Sequence, residues 1–379
     1  MDFLFYKPTI LIWIILGGLA VVLLVQLIYY FCIFGKLIFN KKKTTLTMTV
    51  ADEDLPPVSV VIATKNEEYY LKDKLAFFLE QDYPEFEVIV VNDASTDESE
   101  YILKAFSKIY PNLKVVNIVE NVNKFRGKKF PISLGIKSAK YEHLVLSCAD
   151  CEPCGFNWLR NIASHFDSKH EIVLGFGSFA KRKGIFNALL QYDNVTTAMN
   201  YIGLALSGQA YRGDCKNIAY TKELFYSVGG FTKHYNITLG EDDIFVKDIA
   251  TSKNVTVAME PESFVSSSSK RTFKDWKGEK KNRIATFKQY KSSTKFLLNL
   301  LPITTFLFYA IVITLAALSF PYQYLILALL LKFIPQTIIY FKACKRLETK
   351  RISIFAPLFE IYFLFFNAKL RIASIFTKS

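Results

Sequence analysis

Leu144-Val-Leu-Ser-Cys-Ala-Asp-Cys-Glu-Pro153 is a short apolar run that stops at small polar residues and delivers one carboxylate, Asp150, before Pro153 breaks the strand. A run of this kind reads as a buried strand. In an open α/β sheet, ligands bind beyond the carboxyl ends of the strands, where a carboxylate can hold a divalent cation through hard oxygen ligands. Phe86-Glu-Val-Ile-Val-Val-Asn-Asp93 ends the same way, in Asp93. Two acid-tipped strands in one domain predict a pocket for something cationic, or for something that a cation carries.

Working outward, Pro56-Pro57 marks a domain start and Val58 to Thr64 is a β-rich run suited to a buried parallel strand, followed by Lys65-Asn66-Glu67-Glu68. Leu71 to Leu79 has helical spacing, and Asp82-Tyr83-Pro84 breaks it. Ser95-Thr-Asp-Glu98 reads as a capping box for a helix from about Asp97 to Ile109. Lys114 to Val119 is a third strand, Asn121 to Gly127 a polar, basic loop, and Lys128-Lys129 open a helix to about Lys137. Beyond the opening stretch, Phe156 to Phe166 is helical, Ile172 to Phe176 a strand and Ile185 to Leu206 a long helix. Glycines follow at Gly208, Gly213 and Gly229-Gly230, and Leu239-Gly-Glu-Asp-Asp243 precedes a helix over Ile244 to Ala250. Alternating strands and helices predict an α/β fold, a parallel sheet with helices on both faces.

Of 379 residues, 51% are hydrophobic, and they are clustered. Thr9 to Phe34 exceeds the ~20 apolar residues a spanning helix needs. Its basic residues, Lys36 and Lys41 to Lys43, follow the run instead of preceding it, which excludes a signal peptide in favour of an anchor. The positive-inside rule puts those lysines in the cytoplasm. Phe296 to Phe320 and Tyr322 to Phe341 are two further spans joined by a short turn, and Lys342, Lys345, Arg346, Lys350 and Arg351 follow them on the inner side. Pro357, Glu360, Lys369 and Arg371 interrupt Ile352 to Phe376, which reads as an interfacial or re-entrant helix. Many of the charges behind the net +13 flank these segments, where they serve topology and anionic-lipid contact; a nucleic-acid partner is not expected. Six cysteines (32, 148, 151, 154, 215 and 344) are expected as reduced thiols.

The ordered set Ser59-Val-Val-Ile-Ala-Thr-Lys-Asn-Glu-Glu68, Val90-Val-Asn-Asp93, Gly127-Lys-Lys129, Ala149-Asp-Cys-Glu-Pro153, Gly229-Gly-Phe231 and Gly240-Glu-Asp-Asp243 resembles a membrane-anchored family 2 glycosyltransferase of GT-A (Rossmann-like) fold, over about Pro57 to Arg283. The resemblance implies inverting transfer of a hexose or N-acetylhexosamine from a nucleoside diphosphate sugar, with Mg²⁺ or Mn²⁺, to a lipid-linked or membrane-near acceptor in cell-surface glycan synthesis. It assigns Ala63, Thr64, Asn66 and Glu67 to the nucleoside cradle and Asp93 to the base or ribose. Asp150, after Ala149, is the second acid of the metal motif. Lys128 supports the diphosphate, and Asp242 is the general base, with Glu241 and Asp243 leaving its register open by one residue.

Two departures stand out. Cys148 takes the first acid position of the metal motif, and a thiol is a poor partner for Mg²⁺. The segment Glu279 to Arg283 after Trp276 lacks the Gln and Trp of the family's Q-x-x-R-W pattern, which favours a non-processive enzyme over a processive polysaccharide synthase. A non-catalytic nucleotide-binding membrane scaffold is a further alternative. Cys148-x-x-Cys151-x-x-Cys154 also has iron–sulfur or zinc spacing, without a clear fourth ligand nearby. Arg212 is an acceptor-groove candidate. Ser266 to Ser269 reads as a mobile linker, and Phe273 to Lys291 as a helix on the inner membrane surface, with Trp276 its interface anchor. The expected layout is therefore an anchor (1–43), a linker (44–56), the GT-A domain (57–265), the loop and interfacial helix (266–295) and C-terminal membrane or interfacial helices (296–379).

Overall fold

The computed structural model describes residues 9–40, 51–119, 127–268, 272–349 and 352–376. Lys41 to Lys43, most of the loop before Gly127, Ser269 to Arg271, Lys350 and Arg351 lie outside them. The chain forms two compact units, one of residues 1–40, 195–203 and 291–379, the other of 41–194 and 204–290.

Among the described residues, the second unit holds ten strands: β1 (Val58–Thr64), β2 (Phe86–Asp93), β3 (Leu113–Ile118), β4 (His143–Cys148), β5 (Cys151–Pro153), β6 (Ile172–Leu174), β7 (Gly177–Phe179), β8 (Ile218–Thr221), β9 (Val255–Val257) and β10 (Val265–Ser267). Seven form one sheet in the order β3-β2-β1-β4-β8-β6-β9; β5, β10 and β7 form a second. The first four strands are mutually parallel, but β8 runs antiparallel to both β4 and β6. The expected all-parallel sheet therefore holds only for the first half. After the glycine-rich turns β8 enters between β4 and β6, antiparallel to both.

Every residue of β1 is buried, as a central parallel strand covered on both faces requires. Val58, Val60 and Ile62 pack with Leu71, Leu75 and Phe78 of the helix Glu68–Leu79. On the other face, Gly135 of the helix Lys129–Ser138 lies so close that a Cβ would come within 2.5 Å of Val61. That glycine lets the helix seat on the sheet.

Some local expectations shift. The helix after β2 begins at Ser99, and its N-cap residue Glu98 makes no side-chain cap. Asp97 serves instead, accepting from the amides of Ser99 and Glu68 at 3.1 and 3.0 Å and so tying two helix starts together. The helix expected over Phe156 to Phe166 is Trp158–Ala163. Ser266 and Ser267 are not linker but part of β10, paired on both sides. Trp276, expected at a membrane surface, is buried within this unit, its indole donating to Asp193 at 3.2 Å.

In the first unit, Ile10–Phe39, Ser292–Ala317, Tyr322–Arg346 and Ser353–Ser374 are each long and apolar enough to cross a membrane. The last of these is the segment expected to lie at the interface. Its acidic residue is partnered within the unit: Glu360 Oε2 lies 3.0 Å from Lys332 Nζ, and Glu360 Oε1 accepts from Thr305 at 3.1 Å. Lys332 also donates to Gln26 at 3.2 Å, so all four helices contribute polar groups to one interior cluster. Lys332 and Gln26 are each 1% exposed. Burying a charge in such surroundings requires a partner.

Candidate active site

β1 lies between β2 on one side and β4 on the other, so the sheet's topological switch falls at its carboxyl end, where open α/β sheets bind ligands. Register fixes what meets there. Ala63 stands opposite Val91 and Cys148, and Thr64 opposite Asn92. Asp93 and Ala149-Asp150 thus emerge on the two sides of Thr64.

The expected nucleoside side is built around a turn. Asn66 sits at φ 53°, a left-handed conformation that asparagine tolerates, and its side chain accepts from the Thr96 amide at 2.8 Å. Its own amide donates to Ser95 at 2.9 Å, which joins the loops after β1 and β2. Thr64 donates to Glu67 at 3.1 Å. Asp93 is 7% exposed; one oxygen faces Lys65 at 3.3 Å, and the other has no partner among the described residues. A buried acceptor left open at a strand end is available to a ligand hydroxyl or amine.

On the β4 side, Lys128 reaches back toward the Ala63 carbonyl at 3.5 Å. The Cys148 sulfur, and the Glu67 and Asp150 carboxylates beyond it, raise its pKa. Asp150 accepts from Ser267 through Oδ2 at 2.7 Å, and its backbone carbonyl accepts from Lys74 at 2.7 Å. Cys148, Asp150 and Cys151 place their donor atoms within 4.8 Å of one another. A hydrogen bond with Cys151 pushes the Cys148 thiol well above its ordinary range. Cys154 is exposed and stands outside that group, so the three evenly spaced cysteines do not converge as thiolate clusters require. One carboxylate and two thiols can hold a divalent cation, with fewer hard ligands than Mg²⁺ prefers.

The acidic loop is clamped from two directions. Asp242 and Asp243 are fully buried and Glu241 nearly so. Arg283 donates to Asp242 at 2.6 and 2.8 Å and to Asp243 at 3.2 Å, Tyr290 donates to Asp243 at 2.8 Å, and Arg212 lies 3.8 Å from Asp242. Asp243 also caps the helix Ile244–Ile249, bonding the Ile244 amide at 2.7 Å. Burial works to raise the Asp243 pKa, but Arg283 and Arg212 outweigh it and hold the carboxyl low. Burial, then the charge of Asp242, pushes Glu241 up to about 7.

From the other side, Lys129, 1% exposed, donates to the carbonyls of His234 and Ile237 at 2.6 and 2.7 Å. Burial lowers this lysine to about 8. Gly127, at φ 84°, abuts the Thr238 carbonyl with no room for a Cβ. The turn that presents Lys128 to the sheet edge therefore also holds the loop leading into Glu241. The Cys215 carbonyl lies 3.8 Å from the Cys148 sulfur, and a hydrogen bond with Cys148, then burial, pushes the Cys215 thiol well above its ordinary range.

The sequence profile of glycosyl transferase family 21 matches residues 18–377, nearly the whole chain. The chain belongs to glycosyl transferase family 21. This family 21 enzyme is a glycosyltransferase, as the resemblance to a membrane-anchored GT-A transferase implied, under a different family number. Its fold is similar to that of a mannosyltransferase from Pyrobaculum calidifontis solved with GDP-Man and Mn²⁺, at TM-score 0.57 and 20% identity, covering 92% of this chain and 98% of the other. A poly-beta-1,6-N-acetyl-D-glucosamine synthase of Staphylococcus epidermidis is 33% identical over 147 residues, 39% of this chain and 31% of that protein. A poly(ribitol-phosphate) beta-N-acetylglucosaminyltransferase of Staphylococcus aureus is 32% identical over 129 residues, 34% of this chain and 21% of its own length. The family 21 chain thus spans a third or less of these two relatives.

Thr64, Asn66, Glu67, Asp93, Lys128 and Asp150 gather at one sheet edge in this glycosyltransferase, while Glu241, Asp242 and Asp243 sit on the neighbouring loop. Arg283 and Tyr290 had no assigned role in the sequence. The one available signal was Arg283 itself, the residue that the degraded Q-x-x-R-W segment retains.

Proposed function

We propose that this chain is an inverting, membrane-integral glycosyltransferase whose catalytic part, about 57–265 in the sequence, faces the cytoplasm. It adds a single hexose or N-acetylhexosamine to a lipid-linked or membrane-near acceptor. The observation that carries the reading is the sheet edge itself, with Asp93 and Asp150 on opposite sides of Thr64 at the topological switch. Asp93, with its open carboxylate oxygen, and the Asn66 turn hold the nucleoside. Lys128 balances the diphosphate.

Asp150 would hold a divalent cation, of the Mg²⁺ or Mn²⁺ type in such enzymes, which would supply positive charge for the departing diphosphate. Asp242 accepts the proton of the acceptor hydroxyl as it attacks the sugar carbon from the face opposite the leaving group. Arg283 and Arg212 orient that carboxylate, and Asp243 fixes the loop through its helix cap. The helix over 273–287 belongs to the catalytic unit in this reading, and the apolar helices keep the enzyme where a lipid-borne acceptor lies. Loss of the Gln and Trp near Arg283 supports single addition over chain growth.

The test is hydrolysis and transfer from UDP-, GDP- and dTDP-sugars by purified membranes supplied with lipid extract, with and without EDTA, beside Asp242→Asn. Turnover of one donor, lost in the variant and yielding a short product, is expected. Turnover that survives in Asp242→Asn would remove the base assignment, long polymer would restore the processive synthase, and nucleotide binding without turnover of any donor would favour the scaffold.

A further inference from the structure

The corner that holds Asp150 has an unusual chemistry for an oxygen-loving cation. Three donor atoms converge there, two sulfurs and one oxygen, all within 4.8 Å of one another. Cys151 Sγ lies 3.7 Å from Asp150 Oδ1. Around a tetrahedral zinc, with sulfur at about 2.3 Å and oxygen at about 2.0 Å, those two ligands would stand about 3.5 Å apart. The present spacing needs only a small contraction.

The surroundings favour convergence. Ser267 donates to the other oxygen of Asp150 at 2.7 Å, which fixes the carboxylate and leaves Oδ1 toward the sulfurs. Outer hydrogen bonds of this kind orient metal ligands. Cys151 is wholly buried and Cys148 is 6% exposed, so neither thiol is a surface group. Thiolates select zinc and similar thiophilic ions, whereas Mg²⁺ needs near-octahedral oxygen ligation. Three protein ligands with a fourth position open is also the arrangement of catalytic zinc sites.

We infer that Cys148, Asp150 and Cys151 form a three-ligand site for a thiophilic divalent cation of the zinc class, whose fourth position takes an oxygen of the nucleoside diphosphate. Cys148 is then a replacement ligand and not a lost one. The open position rests on the donor-site reading above; the ligand set does not.

Cobalt(II) tests both parts, because thiolate ligation gives it an intense near-ultraviolet charge-transfer band. The purified full-length protein in detergent is titrated with Co²⁺ alone and then with UDP or GDP. The expected result is a thiolate band that Zn²⁺ bleaches and Mg²⁺ does not, and visible cobalt bands that shift when the nucleotide is added. Cys148→Asp should weaken the thiolate band and let Mg²⁺ compete; Asp150→Asn should weaken cobalt binding while preserving sulfur character. Cys154→Ser should change nothing. A wild-type protein without a thiolate band, or a band equally strong in Cys148→Asp, overturns the ligand set, and sugar transfer with Mg²⁺ alone in that case would leave the transferase standing. A band that no nucleotide perturbs would overturn the open-position half.

Discussion

Arg283 holds Asp242 by both carboxylate oxygens, at 2.6 and 2.8 Å, and the acid has no exposed surface. Each oxygen keeps a further lone pair, so under the proposed mechanism Asp242 can take a proton while Arg283 holds it, against the charge of the guanidinium. Arg283 thus sets the orientation of the base and opposes its protonation.

Arg283→Met should strand two buried carboxylates, a loss of about 3–5 kcal/mol for a broken buried pair. Thermal unfolding in detergent would show a clear drop, and adding Asp242→Asn to the same chain should recover part of it. Equal unfolding temperatures for Arg283→Met and wild type would mean the ion pair contributes little.

Glu241 makes a pH signature. An unfolded glutamate titrates near 4.3, whereas folding lifts Glu241 to about 7. Between those values the folded chain keeps a proton that the unfolded chain has released, so this group's contribution to stability falls as pH rises and levels off above 7. Glu241→Gln should match wild type near about pH 5 and be more stable by roughly 3 kcal/mol near about pH 7.5. The series stops there because Lys129, lowered to about 8, adds the opposite slope above it. A stability difference independent of pH would refute the buried, proton-holding Glu241.

Lys129→Met keeps much of the bulk and removes the ammonium from the His234 and Ile237 carbonyls. Each stranded carbonyl costs about 1–3 kcal/mol. Because Lys128 and Asp150 are untouched, the loss should appear in kcat more than in the KM for the donor. A rise in KM with kcat preserved would place Lys129 on the donor instead.

Lys332→Leu alone should destabilise the helical unit by several kcal/mol, because Glu360 keeps its charge in an apolar interior. Lys332→Leu with Glu360→Leu should restore most of that loss. With Glu360→Leu alone and wild type, the four unfolding temperatures make a double-mutant cycle, and simple additivity would show that the two residues do not interact.

The first four strands were legible because each carries a short run of β-branched or aliphatic residues, and three of them end in a chemically distinctive residue, Thr64, Asp93 or Cys148. The arginine clamp was not, since it joins Asp242 to a helix 41 residues further along and no periodicity encodes such a meeting. Ser267 looked like linker from its serine-rich neighbours, but pairing with β5 on one side and β7 on the other orders it. Around Trp276 the mixture of aromatics and lysines shows that one face is buried without showing what buries it. Glu360 looked like an interruption of an apolar stretch because its partner, Lys332, lies on another helix.

That pairing bears on how the protein is made. A helix carrying only Lys332, or only Glu360, offers an unmatched charge to the insertion machinery, while the two together are neutral and their helices are separated in sequence only by residues 347–355. In a bilayer, the helices over 322–346 and 356–376 are suited to enter as a couple. Synthesis halted between them would leave the earlier helix with an unmatched lysine, exposed to quality control until its glutamate arrives.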